Sequence, residues 1–234
     1  MGQGAVRQYT HKTSRFSPLI IRVSLLLILG QTGCRSAYYE AWELVGVHKR
    51  DLLVDSIKDA RESQDEAKQQ FESALEQFAS VVDFDGGELE DVYHRLRMEL
   101  LRSEARGKEV QDRIETVETV SRDLFEEWES ELAHYANASL RGKSEQKLRE
   151  TEKRCDELIE AMRRAEAHIA PVLRPFRDQV LYLKHNLNAQ AVAALRGELV
   201  NVEEQTGALI LELERAIAEA DTLIAELERT EGAN

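Results

Sequence analysis

Apolar side chains recur along this chain at alternating steps of four and three residues, with charged residues filling the gaps. That period lines one face of a helix and excludes strands, whose side chains alternate at every second position. In the first segment the seam reads Leu53, Ile57, Ala60, Gln64, Ala67, Phe71, Ala74, Phe78 and Val81. A second seam runs through Leu96, Leu100, Ser103, Gly107, Val110, Ile114, Val117, Ser121, Leu124, Trp128, Leu132 and Tyr135. Its small residues, Ser103, Gly107 and Ser121, allow close helix approach. The third passes through Leu148, Thr151, Cys155, Leu158, Met162, Ala165, Ile169, Val172, Phe176, Val180, Leu183 and Leu187. The fourth is read through Ala191, Ala194, Val202, Thr206, Leu209, Leu213, Ala216, Ala220, Leu223 and Leu227, with a shift of one position near Gly197.

The breaks between seams carry turn chemistry. In Phe84-Asp85-Gly86-Gly87-Glu88-Leu89, Asp85 has the place of an N-cap, Glu88 that of its capping-box partner, and Phe84 and Leu89 have staple spacing. Asn137 suits a left-handed position at a helix C-terminus, leaving Ser139 to cap the next helix. Pro171 and Pro175 fall inside the third seam and predict a kink or a break and restart. Residues 185–188 read either as a turn or as continuous helix. Matching lengths favour the turn, and so an all-α fold: four long antiparallel helices, 37–83, 88–136, 139–185 and 188–230, in a coiled-coil-like bundle.

Composition sharpens that picture. The 234 residues are 32% charged and only 6% aromatic, as long solvent-bathed helices are. Residues 137–187 hold 11 basic and 8 acidic groups, whereas the other three helical segments are each net −7. The third helix is therefore expected between acidic neighbours, its cations helping to set the pairing.

The N-terminus departs from the helical pattern. Residues 1–33 contain Arg7, Lys12, Arg15 and Arg22 and no acid, and end in a short apolar run and Gly33, directly before Cys34. The run is too short and too interrupted by Arg22 to span a bilayer, which takes about 20 apolar residues, but it fits a cleaved secretory signal. The Gly33-Cys34 junction resembles a bacterial lipoprotein signal, cut before a cysteine that then receives acyl chains. Gln31 departs from the usual leucine of such motifs. The expected organisation is a signal peptide, 1–33, and a single elongated helical domain, 34–234. Arg35, by analogy with lipoprotein sorting, points to the outer membrane. Cleavage would take the net charge from −13 to −17, a body that repels nucleic acid. Tyr38, Tyr39 and Trp42 follow the anchor, and are either membrane-interface residues or a closing layer of the core.

Little else promises chemistry. Gly142-Lys143-Ser144 has the tail of a phosphate-binding loop without its first glycine or its preceding strand. Glu131-Leu-Ala-His134 and Asp91-Val-Tyr-His94 have the Glu-x-x-His type of spacing used by di-iron bundles, but at two ends of one helix, too far apart to share a metal. His48, His168 and His185 lack partners at ligand spacing; His185-Asn186 reads as a polar turn or a recognition spot. Cys155 is a seam residue, hence a buried small side chain, with an intermolecular disulfide as the alternative. No catalytic, metal or cofactor site is expected.

Several motifs together resemble a known family: Cys-x-Ser-Ala-Tyr-Tyr at 34–39, Val-Gly-Val-His-Lys-Arg-Asp at 45–51, Phe-Asp-Gly-Gly-Glu-Leu-Glu at 84–90, Asn-Ala-Ser-Leu-Arg at 137–141 and Leu-Lys-His-Asn-Leu-Asn-Ala-Gln-Ala at 183–191. They are similar to the bacterial helical proteins grouped as domain of unknown function 2959. The resemblance implies an envelope protein and brings no catalytic residues. The leading expectation is a non-enzymatic scaffold, attached to the membrane through acylated Cys34, that binds another envelope protein or itself. The alternative is a bundle that binds or remodels membrane lipid, for which only the third helix offers a basic face.

Overall fold

The computed structural model describes residues 49–82, 89–186 and 189–231. Residues from Lys49 onward form one compact unit, and its described residues are almost wholly helical: α1 (Lys49–Val82), α2 (Leu89–Glu131), a single 3-10 turn (Leu132–His134), α3 (Ala138–Ala167), α4 (Ile169–His185) and α5 (Ala189–Glu231). At 1.5 Å per residue, the 43 residues of α2 make a rod of about 65 Å. The Asp85–Glu88 hairpin signal and the start expected at residue 37 lie outside the described residues.

Because α3 and α4 share one line of buried residues, the five helices make four rods. Every residue of the first seam is buried, and so is the third seam from Leu148 to Leu183. The rods form a closed ring, α1 against α2 and α5, and α3–α4 against α2 and α5. Ion pairs mark the antiparallel register: Arg106–Glu66 and Arg113–Asp59 between α1 and α2, Arg61–Asp221 and Lys68–Glu214 between α1 and α5. Arg163–Glu118 and Arg177–Glu104 do the same between the third rod and α2, and Arg154–Glu226 between α3 and α5. The net-basic rod thus stands between two acidic ones, as its charge predicts.

Local differences from the sequence reading have physical causes. The third rod does break near its prolines, but the break is one residue at His168, whose N–H donates to the Ala165 carbonyl at 3.1 Å, and Pro175 lies inside α4 without breaking it. Pro171 then sits in the first turn of α4, where a missing N–H costs nothing. Asn137 is extended (φ −93°, ψ 111°) rather than left-handed: it caps α3 itself, its side chain accepting the N–H groups of Ser139 and Leu140. Ser139 is accordingly not the cap. In α2 the inner position after Ser121 belongs to Phe125, Leu124 is only partly buried, and Tyr135 is exposed. In α5 the buried line is Val192, Leu195, Val202, Thr206 and onward, with Leu199 partly buried. This continuous heptad replaces the expected shift near Gly197 and displaces Ala194; the side chain of Ala191 lies outside the described residues. His185 ends α4, and Asn186 closes it by donating its N–H to Leu183 and its side-chain amide to Tyr182. Gly107 confirms close approach: a Cβ there would lie 2.8 Å from Cγ2 of Ile169, so only glycine lets the third rod in at its break.

Phe71 is buried and Arg149 pairs only with its exposed neighbour Glu145. Phe71→Asp should cost more than the about 3–5 kcal/mol of a Phe-to-Ala truncation and abolish the cooperative melt followed by circular dichroism. Arg149→Glu should shift that melt only slightly. A parental melt for Phe71→Asp would mean that the first seam is misplaced.

Candidate functional site

Several charged side chains tie the rods together. Arg163 grips Glu118 through two hydrogen bonds of 2.8 and 2.7 Å and reaches Glu166 at 2.6 Å. Its guanidinium holds the Glu118 carboxyl below the ordinary carboxylate range. Arg154 binds both oxygens of Glu226. On α1, Lys49 reaches Glu127 at 2.8 Å and Arg50 donates to the Leu227 carbonyl. His94 is exposed and stands 3.7 Å from Glu90 at one end of α2, while Glu131 and His134 are exposed at the other. The two Glu-x-x-His-like pairs therefore stay apart.

Gly142-Lys143-Ser144 lies in the first turns of α3 after a 3-10 turn, and Ser144 accepts the indole N–H of Trp128 at 2.9 Å. That hydrogen bond ties the ends of α2 and α3 together, a structural use of the Ser. Cys155 is fully buried beside Ser121, which excludes it from an intermolecular disulfide in the folded chain. Burial pushes its thiol up to about 12, so it stays protonated. Cys34, Tyr38, Tyr39 and Trp42 lie outside the described residues.

Two surface features escaped the sequence reading. A groove of about 730 Å³ runs between α2 and α3, floored by Phe125, Leu132, Leu148 and Ile159 and rimmed by Glu126, Glu129, Glu152 and Asp156. Toward the other end, Met98 and Leu101 of α2 are each 45% exposed, and Leu181 and Tyr182 of α4 are 55% and 41% exposed. The Arg177–Glu104 pair sets these four at nearly one level on adjacent rods. The available signal was that each lies off its helix's seam, where an apolar residue has no core to fill.

The family model described as "Protein of unknown function (DUF2959)" matches residues 38–227. The chain belongs to that family. The match covers nearly all of the bundle. No curated protein and no solved structure matches the chain.

Cys155 yields a pH prediction. Its folded value near 12 stands above the ordinary 9.0, so the folded thiol is neutral while the unfolded one ionises. The stability it contributes is whole below pH 9 and should fall progressively between pH 9 and 12. Cys155→Ala should flatten that part of the alkaline melting profile. In a Cys34→Ser chain, a thiol reagent should label Cys155 only on unfolding, and rapid labelling of the native chain would mean that the site is open.

Proposed function

We propose that this family member is a lipid-anchored, non-enzymatic scaffold of the bacterial cell envelope. Acylated Cys34 holds it in the membrane, by the Arg35 analogy the outer one, and the bundle faces the periplasm. Its apolar surface at Met98, Leu101, Leu181 and Tyr182 binds another envelope protein or a second copy. The observation that carries the reading is this exposed apolar level on two adjacent rods. Isolated apolar residues are ordinary on surfaces, but a cluster on a charged rod suits helix–helix recognition. The anchoring half rests on the basic, acid-free segment before Gly33-Cys34. None of the described helices is long and apolar enough to cross a membrane.

The scaffold reading also accounts for how polar groups are spent. Arg154, Arg163 and Arg177 join rods, and the thiol of Cys155 is buried and protonated.

Cys34→Ser should leave an unprocessed precursor and abolish incorporation of labelled fatty acid. Normal processing to a soluble mature protein would show an ordinary secretory signal instead. A photo-crosslinker at Leu101 or Leu181 should give a discrete adduct in cells, whereas one at exposed Arg149 should not. An adduct at twice the chain's own mass identifies a second copy. Equal, diffuse labelling from all three positions would remove the apolar surface as the binding site.

A further inference from the structure

The turn joining α2 to α3 and the first residues of α3 together form an acid-free segment. From Leu132 to Lys143 it reads Leu-Ala-His-Tyr-Ala-Asn-Ala-Ser-Leu-Arg-Gly-Lys, with no acid and two bases, in a chain of net charge −13. Every residue from Ala133 to Lys143 is exposed. Tyr135 is 42% and Leu140 51% exposed, although neither has a charged head to keep in water. Asn137 holds the turn in shape by accepting the N–H groups of Ser139 and Leu140. The nearest acids in sequence, Glu131 and Glu145, flank the turn from outside, and Glu145 is paired with Arg149.

The position of the turn gives it a partner. Lys49 pairs with Glu127, Arg50 reaches the Leu227 carbonyl and Trp128 reaches Ser144, so the chain enters α1 at the same end of the bundle as this turn. Residues 35–48 are all that separates Cys34 from Lys49. A chain anchored at Cys34 is therefore tethered to the membrane at this end of the bundle.

We infer that the Ala133–Lys143 turn is a second, non-covalent contact with an anionic phospholipid surface, an inference that rests on the anchored reading above. Tyr135 and Leu140 enter the headgroup layer, where an aromatic ring and a short apolar side chain are favoured. Arg141 and Lys143 meet lipid phosphates, each cation near such a surface adding attraction. The acid-free stretch lets an otherwise acidic body approach a negative membrane. With the anchor, the two contacts hold this end of the bundle at the membrane.

The test uses the full acylated chain in vesicles, with an environment-sensitive dye on Ala136→Cys and, as control, on Asp91→Cys near the other end of α2. Acylation blocks Cys34 and burial blocks Cys155, so each variant takes one dye. In vesicles of phosphatidylethanolamine with phosphatidylglycerol, the dye at 136 should shift to the blue and lose emission to brominated lipid, while the dye at 91 should do neither. Arg141→Glu with Lys143→Glu should remove the excess response over phosphatidylcholine vesicles. A chain that floats with the vesicles while the dye at 136 emits as in water overturns the turn contact and leaves the anchor standing. A second dye on Cys34 without flotation means that the anchored reading has failed. The Cys34→Ser chain carrying the dye at 136 is then mixed with the same vesicles, and silence overturns the turn contact as well. A response seen only with a second membrane protein present would assign the turn to that protein and overturn the lipid contact.

Discussion

Three acidic rods must share one core, and the rest of the structure depends on how their repulsion is met. The third rod supplies the answer with Arg154, Arg163 and Arg177, which reach α5 and α2 on either side. On α1, Lys58, Arg61 and Lys68 reach Glu228, Asp221 and Glu214 of α5. Each exposed pair adds only about 0–1 kcal/mol, so these contacts do not hold the bundle together. The seam does that, at roughly 1.5–3 kcal/mol for each large apolar side chain buried. What the pairs decide is which rod stands beside which. An arrangement that put α2 and α5 side by side would leave the guanidiniums of the third rod with fewer carboxylates to reach.

How much was legible follows from the same division. The first seam, and the third from Leu148 to Leu183, could be read residue by residue, because heptad spacing is a local property and their apolar positions keep one phase throughout. Leu124-Phe125 allowed two phases, since both are apolar and both agree with Leu132 further on; packing chose Phe125. At the start of α5, Ala191 and Ala194 competed with Val192 and Leu195. The bulkier pair continues the step pattern through Leu199 and Val202 without a break, so the signal was present in side-chain size. Asn137 was ambiguous for another reason, because asparagine serves both a left-handed C-terminus and an N-cap. The surfaces proposed for function were the least legible. Leu140 and Leu181 stand off the seams, but spacing does not say whether such a residue is covered by another rod, and the assembled rods show that neither finds a core.

One residue shows what a seam so regular requires to stay in register. Gln64 is 0% exposed, and neither its amide oxygen nor its nitrogen has a hydrogen-bond partner; the hydroxyl of neighbouring Ser63 has none either. An unpaired buried amide costs about 1–3 kcal/mol, yet it occupies a position that leucine would fill at no such cost. The pairs Arg106–Glu66 and Arg113–Asp59 bracket it on α2, and Arg61–Asp221 and Lys68–Glu214 bracket it on α5. Those brackets put it at the level of Gly107, Ala216 and Ala220, the layer in which the Gly107 backbone meets Ile169. One heptad along α1 in either direction stand Ile57 and Phe71. A slip of α1 by one heptad would press one of these into the small layer. It would also carry the amide among larger apolar side chains, near Leu213 in one direction and Leu223 in the other. Both changes oppose the slip, the first by overpacking and the second by desolvating the amide without gain. A polar residue at a single seam position is known to fix coiled-coil register at the expense of stability. Gln64, set in a layer of glycine and alanines, meets the steric condition for that role in a bundle whose repeating seam would otherwise fit itself equally well at several offsets.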